Sequence, residues 1–446
     1  MDWDRLKKAV RSYPEVLQVG TLLRLALFGV PALTNVLQRR PELSTPLTSF
    51  RSLKEGVYIY ERGTNPYSGG VFYHSPLYLA FFTYIFPISS NVLSAFVFTL
   101  IDVASAWALV RIWKTRNPTS DGSREGLVSA LYLFNPYTLL SCLARSTTSV
   151  DNAVLLLAIA SAASDQATIA LFFLAIAVHS SLYPLLVLPP IIMLLRRPSN
   201  GSSSPSKVPT STLSLLFTFT TFFVAFTGLN WTLAGFSWLR PTWGVITNVT
   251  DLTPNVGMWW YFFTEMFEHF RTFFLGVFQI HNLIYVAPIC MRLSDDPLFA
   301  ILVLVGIFST WKSYPALGDM ALWAGLLGCF PEVVSNLRHP LFTLTVHLYT
   351  SILLPLLHSL WLLTGTGNAN FFYAATMVYG LNASLAIVDV LSAGLRLGVK
   401  RSVGDWLRER KRTPDIKGDV NGETESPDKV WEEKGWSVIQ FTRQVS

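Results

Sequence analysis

The sequence predicts an all-α polytopic membrane protein with about twelve transmembrane helices. The chain has 446 residues, of which 51% are hydrophobic and only 14% are charged, and its mean hydropathy is +0.40. Soluble domains carry about a quarter charged residues. Apolar stretches recur from near residue 16 to residue 392, separated by short polar segments. This pattern favours one large helical bundle over a soluble domain with a single anchor.

The first apolar run, residues 16–36, is expected to be a retained span rather than a signal peptide. It is about 21 residues long, longer than the apolar core of a signal peptide, and no small-x-small cleavage pattern closes it. Basic residues beside spans mark the cytosolic face of a membrane protein. They cluster here in residues 111–124, 196–207 and 396–412. We therefore expect both termini in the cytosol.

Residues 37–91 are expected to form one long luminal loop, although residues 75–86 are apolar. That apolar run has about 12 residues, too few to cross roughly 30 Å of hydrocarbon. If it did cross, the following span would place Arg111, Lys114 and Arg116 in the lumen, against the charge rule. The second half of the loop is therefore expected to dip into the bilayer or to pack on the bundle.

The same rule gives twelve spans and returns the C-terminus to the cytosol. They cover residues 16–36, 92–113, 126–143, 151–164, 167–179, 182–195, 211–229, 272–291, 297–311, 317–335, 340–363 and 370–392. The transmembrane domain is expected to occupy residues 1–395, with a flexible Ser-rich cytosolic linker at 196–210. A tail at 396–446 follows, basic up to residue 412 and disordered beyond it.

Polar residues at membrane depth or at span ends are where function is expected. The predicted topology gathers five such segments on the luminal side, at residues 145–152, 179–183, 258–270, 310–315 and 364–373. Together they offer hydroxyls, amides, aromatic rings and a few cations, a lining that suits a lipid-linked sugar or a phosphate headgroup. For each segment taken alone, helix capping or aromatic side chains at headgroup level are the alternative interpretation.

Two groups of ionisable residues have competing interpretations. Glu265, Glu268 and His269 would share one face of a single helix, which favours a metal or an acid–base site. An interfacial helix with its aromatic side chains in lipid explains the same segment equally well. Arg24 in the first span and Asp102 in the second are expected to form an ion pair within the bundle, which is interpreted as structural; a proton relay is the alternative.

Four long motifs resemble one known family. They are EGVYIYERGTNPYSGGVFYHSPL, LFNPYTLLSCLARSTTSVDNAVLL, WYFFTEMFEHFRTFFLGVFQIHNLIYVAPI and GNANFFYAATMVYGLNASLAIVDVL. In this order they resemble the phosphatidylinositol-glycan class U subunits of the GPI transamidase complex, in a form similar to fungal members, from the first span to about residue 395. The resemblance implies a protein of the endoplasmic reticulum membrane that binds the GPI lipid and presents it for attachment to protein C-termini. It also implies that other subunits are partners, one of which carries the catalytic Cys and His.

That family in turn resembles the GT-C class of lipid-linked-sugar mannosyltransferases, which implies a GT-C-like bundle with a long first luminal loop. Those enzymes carry an acidic motif just after the first span, because a carboxylate must take the acceptor proton or hold a divalent cation. In this chain the loop's glutamates, Glu42, Glu55 and Glu61, form no acidic pair. We therefore expect a noncatalytic chain. An active mannosyltransferase with a relocated carboxylate, Asp151 or Glu265, is the alternative.

The GPI phosphates and glycan are expected to meet the luminal segments. Lys312 would act as a point charge for phosphate, amide side chains would donate hydrogen bonds, and aromatic rings would hold sugar faces or acyl chains. The candidate GPI-binding residues are Lys312, Tyr314, Asn368, Asn370, Phe371, Phe372, Tyr373, Asp151, Asn152, His179, Tyr183, Glu265 and His269. We expect no catalytic residue, metal site, cofactor or nucleic-acid partner. Asn230 and Asn248 lie in N-x-T sequons on the predicted luminal side and are candidate glycosylation sites.

Overall fold

The computed structural model describes residues 12–86, 88, 90–118, 122, 124–197 and 211–412. All regular structure in these ranges is helical, and none of it is β-strand. The predicted all-α class is therefore confirmed. Most of the predicted linker, residues 198–210, and the predicted disordered tail from residue 413 lie outside the described residues.

Twenty α-helices are labelled here in chain order. They are α1 (Tyr13–Phe28), α2 (Pro31–Leu37), α3 (Phe50–Glu61), α4 (Pro76–Ala80), α5 (Asn91–Arg116), α6 (Glu125–Leu133), α7 (Pro136–Leu143), α8 (Thr148–Ala163), α9 (Ala167–Ser180), α10 (Leu188–Arg196), α11 (Thr212–Ala234), α12 (Val245–Asn248), α13 (Trp259–Glu265), α14 (Glu268–Leu283), α15 (Val286–Arg292), α16 (Pro297–Trp311), α17 (Leu317–Leu327), α18 (Pro331–Val334), α19 (Pro340–Leu362) and α20 (Ala369–Arg412). Short 3₁₀ turns lie at Pro66–Gly69 and Tyr183–Val187, and π turns lie at Phe81–Ile85 and Arg240–Gly244.

The lengths of the helices support a polytopic membrane protein. Within the described ranges five helices are long and apolar enough to cross a bilayer, or up to seven if each of two bent pairs counts as one span. The remaining predicted spans coincide with apolar helices of 10–17 residues. A 16-residue helix is about 24 Å long, shorter than roughly 30 Å of hydrocarbon. The membrane class is confirmed, and the count of twelve crossings stays a prediction.

The first predicted span is not one continuous helix. Helices α1 and α2 meet at an angle of 92° across Gly29 and Val30. Pro31 opens α2, and because proline has no backbone N–H and disfavours a helical conformation in the residue before it, the ladder of α1 cannot run through this point. The prediction for residues 16–36 is therefore corrected to two helices at nearly a right angle.

The long helices divide into central and peripheral ones. In the apolar 18-residue stretch of α5, 56% is buried inside the protein, and in the corresponding stretch of α20 the buried share is 50%. In α11 and α19 it is only 11%, and in the α14–α15 span it is 17%. The apolar side chains of the peripheral helices therefore face outward, where lipid or another subunit is needed to cover them.

The segment between α2 and α5 folds onto the bundle, as one of the two sequence-based alternatives expects. Leu79 and Phe82 are fully buried, and α4 contacts both α9 and α11. Earlier in this segment, a Cβ on Gly56 would lie 2.2 Å from the ring of Phe72, so only glycine permits the observed approach. The apolar run at residues 75–86 therefore packs against the bundle.

Arg24 and Asp102 form the predicted ion pair. Arg24 Nε lies 2.9 Å from Asp102 Oδ2, and both side chains are fully buried. The pair joins α1 to the central helix α5 in the interior of the bundle. Since each charge is buried with its counter-charge, removal of either would leave the other uncompensated.

Candidate functional site

A buried polar network brings together three of the five predicted luminal segments. Asp151 on α8 accepts a hydrogen bond of 2.6 Å from the Tyr78 hydroxyl and lies within electrostatic range of Lys312. Tyr183 donates to the Ser313 hydroxyl at 3.2 Å and accepts from the Ser313 backbone N–H at 3.0 Å. The start of α8, the Tyr183–Val187 turn and the loop after α16 therefore meet at one place.

The loop after α16 is extended because of its sequence. Helix α16 ends at Trp311, and Lys312 and Ala316 have extended backbones on either side of Tyr314 and Pro315. The residue before a proline disfavours the helical region. Asp319 then fixes the start of α17, where its Oδ2 accepts from the Ala316 backbone N–H at 2.8 Å. The loop is thus held at both ends, and its polar side chains have fixed positions.

Lys312 is not a free cation. Its Nζ lies 2.7 Å from Asp319 Oδ1, and only 13% of its side chain is exposed. The neighbouring Asn152 donates to the Gly318 carbonyl at 2.7 Å, so it too is occupied by the start of α17. A phosphate would have to open the Lys312–Asp319 pair to reach the ammonium group. These side chains therefore build the wall of the site in the observed state.

Tyr314 anchors the loop between α12 and α13. Its hydroxyl donates to the Asp251 carbonyl at 2.7 Å and accepts from the Asp251 backbone N–H at 3.2 Å. Burial, together with the nearby Asp251 carboxylate, raises the pKa of Tyr314 above its ordinary value of 10. The phenol therefore stays protonated at physiological pH and remains a hydrogen-bond donor.

Several other candidates and the aromatic side chains around them form a partly exposed surface, here called the aromatic-amide patch. Its residues are Trp260, Tyr261, Trp361, Asn368, Asn370, Phe371 and Tyr373, from the start of α13, the end of α19 and the start of α20. Tyr261 and Tyr373 have ring centroids 4.5 Å apart, and the Tyr261 hydroxyl donates to Asn370 Oδ1. Asn368, Asn370 and Phe371 are exposed. The patch combines ring faces with accessible amides.

Local sequence explains how the patch forms. The turn between α19 and α20 contains Gly365, whose φ of 67° lies in the left-handed region that glycine adopts readily. Gly367 N–H then donates to the Leu360 carbonyl at 3.0 Å and folds the turn back on α19. As a result, the first turn of α20 lies beside the last turn of α19.

Phe372 connects this patch to an apolar groove. Phe372 is fully buried and packs with Trp260 at a centroid distance of 5.9 Å. Leu317 and Tyr137 pack in the same cluster and also line a groove of about 810 Å³ between α6–α7 and α19. Other side chains of the groove, such as Leu344 and Trp323, are apolar. A polar, aromatic surface and an elongated apolar groove are therefore adjacent.

Arg40 and Glu42 are site residues that the sequence interpretation missed. Arg40 donates to Ser359 Oγ at 2.9 Å, beside His358, whose ring centroid is 5.4 Å from that of Phe372. Glu42 is 2% exposed, its Oε1 has no hydrogen-bond partner in the described structure, and its carbonyl accepts from the Leu317 N–H at 2.9 Å. Burial raises the pKa of Glu42 from 4.5 to about 7. The charged stretch just after the first span was the available signal.

Of the remaining candidates, Glu265 lies beside Tyr261 of the aromatic-amide patch, whereas His179 lies apart from both groups. His179 is fully buried, and its ring nitrogens face Asn230 Nδ2 at 3.1 Å and the Phe223 carbonyl at 3.1 Å. Glu265 and His269 are exposed, and they belong to different helices because the chain is extended at Met266 and Phe267. The prediction that the acidic residues and His269 share one helix face is therefore wrong. Among the described residues no group of three or more His, Cys, Asp or Glu is placed to hold a metal ion.

The two sequons differ in accessibility. Asn230 lies inside α11, is fully buried, and directs its amide nitrogen at His179. Because a glycan attaches to that nitrogen, this position argues against glycosylation at Asn230, which stays a prediction to be tested. Asn248, at the end of α12, is exposed and stays a candidate.

Comparison with known proteins identifies close relatives over almost the whole chain. The family model described as GPI transamidase subunit PIG-U matches residues 18–379. The mouse GPI-anchor transamidase component PIGU is 32% identical over 428 residues, which cover 89% of this chain and 97% of the mouse protein. The Saccharomyces cerevisiae GPI transamidase component GAB1 is 33% identical over 84% of this chain and 92% of its own length. The GAB1 homolog of Schizosaccharomyces pombe is 35% identical over 80% of this chain and 87% of its own.

Proposed function

Because the chain belongs to the PIG-U family of GPI transamidase subunits, we propose that it is the noncatalytic subunit that binds the GPI lipid and presents it for transfer to protein C-termini. It acts in the endoplasmic reticulum membrane, with both termini in the cytosol, in a complex with the other transamidase subunits. The outward apolar faces of α11, α14–α15 and α19 offer surface for those subunits as well as for lipid.

The adjacency of the aromatic-amide patch and the apolar groove carries this proposal. A GPI lipid joins a phosphate-bearing glycan to acyl or alkyl chains, so its receptor needs a polar surface continuous with an apolar one. Sugar faces stack on Tyr261, Phe371 and Tyr373, and the amides of Asn368 and Asn370 bond the glycan hydroxyls. The hydrocarbon chains enter the groove of about 810 Å³ beyond Phe372.

A cation near the patch supports a position for the phosphate beside Arg40. Arg40 is the cation beside α19, and its fork geometry suits a phosphate oxygen pair better than an ammonium group does. Lys312, with Asp151, Asn152, Tyr183 and Tyr314 around it, fixes the wall behind the site through the contacts described above. Substitution of these residues would therefore affect GPI binding mainly by displacing the side chains that form this wall.

The alternative, an active GT-C mannosyltransferase, has no specific observation in its favour. Asp151, the half-buried candidate for a relocated carboxylate, already accepts the Tyr78 hydroxyl at 2.6 Å. Glu265 is exposed at the end of α13. Neither position by itself favours the proton transfer that this alternative requires.

The test compares two exposed phenylalanines in cells that lack the endogenous chain. Phe371 and Phe342 are each 58% exposed, but Phe342 lies at the opposite end of α19 from the patch, about 28 Å from Trp361 along the helix. Phe371→Ala should lower GPI attachment to a reporter protein about tenfold, as loss of about 1.4 kcal/mol of binding predicts. Phe342→Ala should leave attachment unchanged, and both variants should co-purify with the other subunits. Normal attachment by Phe371→Ala would overturn the assignment of the patch.

A further inference from the structure

A second cavity lies on the face of the bundle that the basic residues predict to be cytosolic, far from the aromatic-amide patch. Helices α5, α10 and α15 end there, α16 begins there, and residues 394–402 of α20 pass beside it. The cavity measures about 630 Å³. Its mouth carries four arginines, Arg116, Arg197, Arg292 and Arg401, so we call it the arginine pocket.

Two of these arginines are structural. Arg116 donates to both carboxylate oxygens of Asp296, at 3.0 and 2.9 Å, and to Glu332 Oε1 at 2.7 Å. Its guanidinium also lies 4.0 Å from the ring centroid of Phe330. Arg401 lies 3.9 Å from the same Glu332 oxygen. These contacts join α5, α18 and α20 and pair Asp296 and Glu332 with arginines. The third acid that lines the pocket, Asp295, is exposed, so the four arginines still outnumber the acids.

The other two arginines are available. Arg197 and Arg292 are exposed, and within the part of the chain that the structure describes neither side chain makes an ion pair or a hydrogen bond. Both stand at the ends of apolar helices, α10 and α15, where two of the predicted spans end. Exposed, unpaired guanidinium groups at the end of a span are suited to the phosphate layer of a bilayer.

The floor of the pocket is apolar. Leu293, Phe299 and Val333 line it and are each less than 9% exposed. Helix α20 comes close to this floor because residue 394 is glycine: a Cβ on Gly394 would lie 2.1 Å from Phe299 Cζ. The pocket therefore presents cations at its mouth and hydrocarbon at its base, the polarity of a lipid headgroup joined to its acyl chain.

We propose that the arginine pocket binds the phosphate of an anionic phospholipid, with Arg197 and Arg292 on the phosphate oxygens and the upper acyl chain on the floor. Guanidinium groups match the paired oxygens of a phosphate and form charge-assisted hydrogen bonds. Basic pockets between transmembrane helices are known receptors for such headgroups. The site is distinct from the proposed GPI site, because it lies at the other end of α20 from the aromatic-amide patch.

The purified full chain in detergent tests this proposal through its thermal unfolding midpoint. Short-chain dioctanoyl phosphatidylserine should raise the midpoint in a saturable manner, whereas dioctanoyl phosphatidylcholine and inorganic phosphate should raise it much less. Arg197→Gln combined with Arg292→Gln should weaken the apparent affinity for the phosphatidylserine at least about tenfold, since two charge-assisted contacts are lost.

Arg196→Gln combined with Arg338→Gln is the matched control, because both residues are exposed at helix ends on the same face and neither lines the pocket. The control should keep the affinity of the native chain. If the pocket double variant unfolds without lipid, Arg197→Gln alone should give a smaller loss. Any of three results would overturn the proposal. They are an equal rise of the unfolding midpoint with both lipids, an equal loss of lipid affinity in the pocket and control variants, and a full rise of the midpoint with inorganic phosphate alone.

Discussion

Substitution of Glu42 by glutamine should make the stability of the protein less dependent on pH. Glu42 lies in the segment after α2, is 2% exposed, and has an unpartnered Oε1. Glutamine keeps the shape of the side chain and removes the ionisable group. The comparison therefore isolates the cost of placing a carboxylate in this interior position.

The magnitude follows from the pKa of the group. Burial raises the pKa of Glu42 from 4.5 to about 7, against the smaller opposing effects of its own backbone and of Arg40. The unfolded chain loses this proton at lower pH than the folded protein does, so the free energy of unfolding falls as pH rises from 4.5 and levels off above pH 7. Between pH 5 and pH 8 the loss is about 2.5 kcal/mol. The amide introduced at position 42 adds a constant offset.

Denaturant titration of the detergent-purified protein, followed by tryptophan fluorescence, measures this effect at pH 5 and pH 8. Between pH 5 and pH 8 the free energy of unfolding of the native chain should fall by about 2.5 kcal/mol more than that of the Glu42→Gln variant. Burial lowers the pKa of His74 from 6.5 to about 4, and this histidine is present in both proteins, so its effect on the free energy of unfolding cancels in the comparison. Glu55→Gln is the control, because Glu55 is exposed in the same segment between α2 and α5. An identical difference between native chain and Glu42→Gln at the two pH values would refute the reasoning.

Two further predictions concern other parts of the chain. Asp102→Leu should lower the free energy of unfolding by about 3–5 kcal/mol, because it leaves Arg24 charged and buried. Adding Arg24→Leu should recover most of this loss in the same denaturant titration. If the double variant showed no recovery, the pairing would be contradicted. Asn248→Gln should abolish any glycan-dependent shift in gel mobility, whereas Asn230→Gln should not change mobility, since the Asn230 amide is enclosed by His179; a shift lost on Asn230→Gln would contradict the observed burial.

The sequence predicted the features that depend on amino-acid composition and on the length and spacing of apolar runs. Long apolar runs identified the membrane class, and the shortness of residues 75–86 left two alternatives, a dip into the bilayer or packing on the bundle, of which the second is observed. The pair of Arg24 and Asp102 followed from the cost of isolated charges inside a bundle. Each of these predictions considers a single segment, or one pair of opposite charges that stabilise each other when buried. None of them requires knowledge of the tertiary structure.

The sequence did not predict features that depend on which side chains meet. Lys312 was expected to be a free cation, but Asp319 lies seven positions further on, and only the turn at Pro315 brings the two together. Glu42 was read as an isolated loop glutamate, because nothing local indicates that α17 covers it. The bend before Pro31 was missed since apolar content continues through it while the hydrogen-bond ladder does not.

Helix α20 has a mechanical consequence for the molecule. It runs unbroken for 44 residues, about 66 Å, roughly twice the thickness of the hydrocarbon layer. Asn370 and Arg401 sit on this one rod about 46 Å apart. If a stiff helix tilts, its two ends move in opposite directions. A ligand that holds the end near Asn370 therefore also restricts the tilt of the end near Arg401.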